Sequence, residues 1–326
     1  MNIIDSSFLL RLVSFAPPLL FAAGAAQANC GSAMCLLNTD WSTQGVWTEP
    51  GLRMDLRYEA VRQDRLRAGT RKVGPEAVSD ELVPLRTRDG NWYVSLDYAF
   101  DARWGVGVSL PFVQREHTQL LRGDAGDVVQ KFNLDAAGDA RVLGRWQALS
   151  TVSADRGGEA AGFTFGLKLP TGRDDVIDPN GERAEPGLQP GTGTTDLLLG
   201  AYWHRQFVDS RVSLFARAQW QRALDRKDDY RPGDKLSVDA GLRYALNDRL
   251  ALQLQANALA TAKSEGERAE PENTGGTLVT LSPGIALTIT PDTQLYAFYQ
   301  RPLYQRVNGV QLSTKDALAV GISTRF

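Results

Sequence analysis

Thiol and imidazole chemistry is scarce in this chain. Its 326 residues include two cysteines, Cys30 and Cys35, and two histidines, His117 and His204. Four residues separate the cysteines, and Met34 stands beside the second. In an exported protein so close a pair is most simply a disulfide. The competing reading is a metal site, because thiolates and a thioether suit copper(I), although no histidine lies nearby. Neither histidine is placed for hydrolysis. A barrel-borne acyl hydrolase needs a serine beside its histidine on one strand face, so that the imidazole can take the hydroxyl proton. His117 is followed by Thr118-Gln119 and His204 by Arg205-Gln206, with no serine at the next position of that face. "GTGTTD" (191–196) lacks the Gly-Lys-Ser/Thr of a phosphate loop. "DDVIDPNGE" (174–182) is rich in oxygen ligands but lacks the full EF-hand pattern, and reads as a surface loop. These residues predict no enzyme and no cofactor.

The remaining chemistry is charge, and its spacing assigns it to strands. In "LRMDLRYEA" (52–60), Arg53, Asp55, Arg57 and Glu59 alternate with Leu52, Met54, Leu56 and Tyr58. A period of two, charged on one side and apolar on the other, is a strand between a wet and an apolar environment. "NWYVSLDYAF" (91–100) and "WGVGVSLPF" (104–112) repeat the pattern. The polar faces of these and later strands carry Asp97, Asp139, Arg141, Arg145, Arg217, Asp239, Arg243 and Arg301. Buried charges must pair or stay wet. They therefore line either a charge-selective solute path or an ion-pair network that closes the bore.

About twelve such strands follow one another, an even number as single-chain barrels require. Their connections alternate. Tight ones at 101–103, 208–210, 247–249 and 291–293 interleave with long polar ones at 64–90, 116–136, 170–194, 222–234 and 262–274, with one exception at 149–160, which is longer than its neighbours but falls in a short-turn slot. Short periplasmic turns and long outer loops give this order in an up-and-down barrel. Trp92, Phe100, Trp104, Phe112, Trp203, Trp220 and Tyr244 sit near the ends of outward faces, where interfacial girdles form. Residues 1–28 read as a signal peptide: Arg11, an apolar stretch, and Ala26-Gln27-Ala28 as the cleavage site. Residues 29–50 carry the cysteine pair with Trp41 and Trp47. They are expected in the periplasm or packed into the lumen.

Three stretches carry a family likeness. "GDARVLGRWQ" (138–147), "GLKLPTGR" (166–173) and "PGTGTTDLLLGAYW" (190–203) occur in that order. They resemble the outer-membrane family named for the meta-pathway of phenol degradation, in which a "GD" strand precedes a strand ending in "LPTG" and then a glycine-rich loop. The resemblance implies a barrel that admits small compounds, aromatic or apolar ones included.

The expectation is thus an all-β, antiparallel up-and-down transmembrane β-barrel over residues 51–326, in the bacterial outer membrane. It would act as a passive channel or facilitator for small solutes. A non-conducting barrel for structure, adhesion or recognition is the alternative, and metal handling through Cys30 and Cys35 a weaker one. The partners expected are outer-membrane lipid, the barrel assembly machinery and a small-molecule solute. A net charge of −2 gives no basic footprint for nucleic acid. Phe326, which ends the alternating "DALAVGISTRF", resembles the C-terminal signal recognised during barrel assembly.

Overall fold

The computed structural model describes residues 39, 44, 49–124, 126–151, 157–207, 209 and 211–326. The signal peptide and the Cys30–Cys35 pair lie outside the described residues.

Fourteen strands follow in chain order: β1 (Gly51–Ala68), β2 (Arg71–Lys72), β3 (Leu82–Ala99), β4 (Trp104–Leu121), β5 (Val128–Ala137), β6 (Arg141–Ser150) and β7 (Gly158–Lys168). The rest are β8 (Asp196–Phe207), β9 (Val212–Ala223), β10 (Lys235–Ala245), β11 (Leu250–Thr261), β12 (Gly276–Thr290), β13 (Thr293–Val307) and β14 (Val310–Arg325). Each wall strand pairs with its chain neighbours, and β14 returns to β1, Arg53 opposite Arg325 and Ala60 opposite Leu318. β2 merely adds two residues beside β1. β5 and β6 both pair with β4 and form one wall strand in two pieces. The result is a closed, antiparallel barrel of twelve strands.

Burial is inverted relative to a water-soluble protein. Leu110 is 52 % exposed and Phe163 51 %, whereas Glu59, Gln255 and Asn257 are fully buried. An apolar exterior around a polar interior is stable only in lipid, and closure satisfies every strand edge there. The barrel is therefore a membrane-spanning protein of the outer-membrane kind.

Local chemistry sets the turns. Asp101 Oδ1 accepts from the backbone N–H groups of Arg103 and Trp104, both at 2.7 Å. Asn247 Oδ1 does the same for Arg249 and Leu250, both at 2.9 Å. Short Asp and Asn side chains thus close two of the tight connections, as such residues do. Two of the expected long loops are largely strand. β1 continues to Ala68 and β3 begins at Leu82, while β4 runs to Leu121 and β5 begins at Val128. Above the bilayer both faces can be polar, so pairing continues after the apolar alternation ends.

Asp139 sits in a bulge. Phe112 pairs with Ala137 and Ser109 with Arg141, so two residues of β4 oppose the three of 138–140. A bulge bends its strand and re-aims a side chain.

Candidate functional site

The three sequence motifs meet at one point on the barrel wall. Lys168 ends β7, Asp196 begins β8, and Asp139 occupies the bulge before β6. Lys168 Nζ lies 3.0 Å from Asp139 and 3.1 Å from Asp196. Asp139 also accepts from the backbone N–H groups of Thr192, at 2.9 Å, and Gly172, at 3.0 Å. The Thr194 hydroxyl donates to Asp196 at 2.8 Å, and the Gln221 amide donates to its other oxygen. All three charged side chains are buried. A buried lysine shared by two hydrogen-bonded carboxylates is a well-compensated arrangement, and removing one member would cost several kcal/mol.

Glycines let the backbones approach this closely. A Cβ on Gly172 would stand 2.7 Å from the Gly138 carbonyl carbon and 2.8 Å from Gly191 Cα. Only backbone packs on backbone here, so no larger residue fits without displacing the loop. The segment 169–195 leaves and rejoins the wall at this junction and turns inward. Gln189 fixes it: its Oε1 accepts from Val176 N at 2.9 Å, and its Nε2 donates to Ala184 O at 2.8 Å. Arg115, paired with Asp89 at 2.5 Å, donates to Gly187 O at 3.0 Å.

Beneath this segment lies a cavity of about 200 Å³. Tyr93, Pro111, Pro186, Pro190, Tyr230 and Pro232 give it apolar surface. Its charge is uneven: six cations, Arg57, Arg115, Arg141, Lys168, Lys235 and Arg268, face Asp139, Glu185 and Glu270. The Glu185 carboxyl, on the inward segment, is held well above its ordinary value by burial, with the charges of Glu270, Asp178 and Asp80 adding to the effect.

Deeper in the bore the polar side chains engage one another. The Arg57 guanidinium lies over the Tyr93 ring at 4.6 Å, with its Nε 2.8 Å from Glu59. It also donates to the Thr39 hydroxyl. Tyr296 donates to Asp55 at 2.9 Å. Asn257 donates to Asp239 at 2.9 Å and accepts from Ser282 at 2.9 Å. Gln44 is 3 % exposed.

Of the charged residues expected in the lumen, Arg53, Asp55, Arg57 and Glu59 lie inward on β1, Asp97 on β3, and Arg141 and Arg145 on β6. Arg217 on β9 and Asp239 and Arg243 on β10 share the inward face, with Asp239 opposite Arg217. Asp139 turns inward from the bulge. Arg301 is the exception. It shares the outer face of β13 with Leu295 and Tyr299, each 41 % exposed, while Gln294, Tyr296, Phe298 and Gln300 are buried within. β13 carries aromatics on both faces, so hydrophobicity alone does not reveal which side faces lipid.

Sequence reading missed Lys168, Asp196, Gln221, Lys235 and Arg115. Parity would have found Lys235, which precedes Leu236 on the alternating face of β10. Lys168 and Asp196 were visible within the motifs, but their meeting depends on the path of the segment between them. His117 and His204 both lie buried inside, His117 Nδ1 2.8 Å from the Thr87 hydroxyl.

A closed, lipid-facing wall around a charged interior defines an outer-membrane β-barrel. Residues 93–314 match the family described as "Putative MetA-pathway of phenol degradation", and the chain belongs to that family. The resemblance carried by the three motifs is thus met by a match over most of the wall. The fold is similar to that of the COG4313 outer membrane channel from Pseudomonas putida F1, with a TM-score of 0.65 and 16 % identity over 86 % of this chain and 97 % of that one. The Ralstonia pickettii toluene transporter TbuX is more distant, with a TM-score of 0.44 and 12 % identity over 93 % of this chain and 95 % of that one. No curated protein sequence matches.

Proposed function

We propose that this protein is a passive outer-membrane channel for small solutes, with aromatic or apolar compounds among them. The observation that carries the reading is the cavity enclosed by the barrel wall and the inward segment 169–195, apolar in part and charged in part. Ligand sites combine apolar walls with a few placed polar groups in this way. The channel of Pseudomonas putida named above shares the fold, which is consistent with conduction.

Thr39, which accepts from the inward Arg57, and buried Gln44 support the reading that these two residues lie within the lumen. Outer-membrane lipid surrounds the wall. Reconstitution into liposomes tests the channel. Osmotic swelling with neutral, charged and aromatic solutes is the expected result, and impermeability to all of them rejects it.

A further inference from the structure

The upper cavity has the dimensions and charge of a binding site rather than of a neutral passage. A cavity of about 150 Å³ accommodates a benzene ring, so about 200 Å³ accommodates one ring with a small substituent. The apolar lining offers two tyrosine rings and several prolines as flat partners.

Charge on the wall selects the substituent. Arg141 on β6 pairs in register with Lys168 on β7, which pairs with Asp196 on β8. Two strands further on, Lys235 of β10 stands opposite Gln221 of β9. Within this arc Lys168 is shared by Asp139 and Asp196, whose oxygens are also taken by threonine, glutamine and backbone donors. The cluster carries one excess negative charge, and Arg141 and Lys235 flank it with two positive ones. Over the cavity lining as a whole, six cations face three carboxylates, so the site is net cationic. Among the described residues Lys235 forms no ion pair, and it lines the cavity half-buried. A half-buried ammonium without a carboxylate partner pays part of its desolvation cost unrewarded, and an incoming anion restores it.

We propose that this cavity binds one small aromatic carboxylate, its ring against Tyr93, Pro111 and Tyr230 and its carboxylate on Lys235 and Arg141. The proposal rests on the channel reading and narrows its solute class from aromatic compounds in general to their monoanionic acids. A bound acid replaces solvent around Lys235, while the proline-rich segment 186–190 covers the ring. Neutral hydrocarbons leave the ammonium uncompensated, and small aliphatic anions leave the apolar wall unfilled.

The test uses the full barrel in lipid nanodiscs, with empty nanodiscs as reference, and calorimetric titration of benzoate, benzyl alcohol and acetate. Benzoate is expected to bind at least tenfold more tightly than either of the others. Lys235→Met should weaken benzoate at least tenfold and leave benzyl alcohol unchanged, and Lys235→Arg should retain binding. Arg141→Gln serves as a second variant should Lys235→Met fail to fold. Equal affinities for benzoate and benzyl alcohol, or undiminished benzoate binding in a folded Lys235→Met barrel, would overturn the proposal. Conductance of the same preparation separates the two readings. A conducting barrel indifferent to benzoate overturns only the acid site, and a benzoate-binding barrel that never conducts overturns only the channel.

Discussion

Lys168 and Asp139 meet at 3.0 Å although neither is adjacent to the other in any ladder register. The bulge at 138–140 brings the carboxylate to the end of β7, where the inward segment leaves the wall. Lys168, paired with both Asp139 and Asp196, thereby holds three separate pieces of chain.

Replacing Lys168 by Met leaves Asp139 and Asp196 buried without their shared cation. A loss of about 3–5 kcal/mol is expected, the usual cost of breaking one side of a buried pair. Urea titration of the folded barrel in lipid, read by the electrophoretic shift of unheated samples, measures it. Adding Asp196→Asn should recover part of the loss. Full additivity of the two changes would show that the residues do not interact.

Gly172→Ala places a methyl group into backbone atoms 2.7–2.8 Å away. The segment 169–195 must then lift from the wall, at a cost of about 1–3 kcal/mol typical of overpacking. Faster proteolytic nicking between residues 173 and 189 is the expected readout, with the rest of the barrel intact. An unchanged digestion pattern counts against tight seating at the three glycines.

Acidity should tighten the same segment. Burial first, and then Glu270, Asp178 and Asp80, raise the Glu185 carboxyl above its ordinary 4.5. Between that value and the raised one, the seated segment binds more protons than the released one. Seating therefore weakens as pH rises through this window. Conductance is expected to increase from acid toward neutral pH, and Glu185→Gln should flatten the dependence. A Glu185→Gln barrel with the original pH profile assigns the effect to other groups.

Removing residues 29–48 tests whether Thr39 and Gln44 stand in the solute path. Arg57 loses the Thr39 hydroxyl, and the space around buried Gln44 opens. Larger single-channel conductance is expected, together with access of a periplasmic-side thiol reagent to a cysteine placed at Gln253. Identical conductance would place the stretch outside the solute path.

Much of the barrel was legible because lipid imposes a simple rule on each strand. Leu52, Met54 and Leu56 alternate with Arg53, Asp55 and Arg57 so regularly that face, span and direction follow from parity. The rule weakens where lipid ends. Residues 64–68 and 116–121 read as loop because strands above the bilayer need no apolar side, yet their backbones continue to pair. Inside the bore the pattern can mislead. Phe298 lies against Gly284 and Tyr296 against Gly321, a ring filling the space each glycine leaves, so inward aromatics on β13 resemble a lipid face and Arg301 was assigned to the wrong side. The junction of Asp139, Lys168 and Asp196 was present as three motifs, but not as one place. No periodicity describes how the segment 169–195 turns inward between them.

The order of pairing also bears on how the molecule is made. Eleven of the twelve wall joints connect strands consecutive along the chain, and each can form as a local hairpin. The twelfth unites β1 with β14, where Arg62 meets Asp316 across 254 positions of sequence. Chain entropy scarcely opposes this last joint, because closure grows only logarithmically with length, about 3 kcal/mol more than for a ten-residue loop. The hazard is temporal. Until the ends meet, a sheet with two unsatisfied edges must wait in or near lipid, where each edge is open to pairing with another chain, so any factor that shelters those two edges favours the folded barrel.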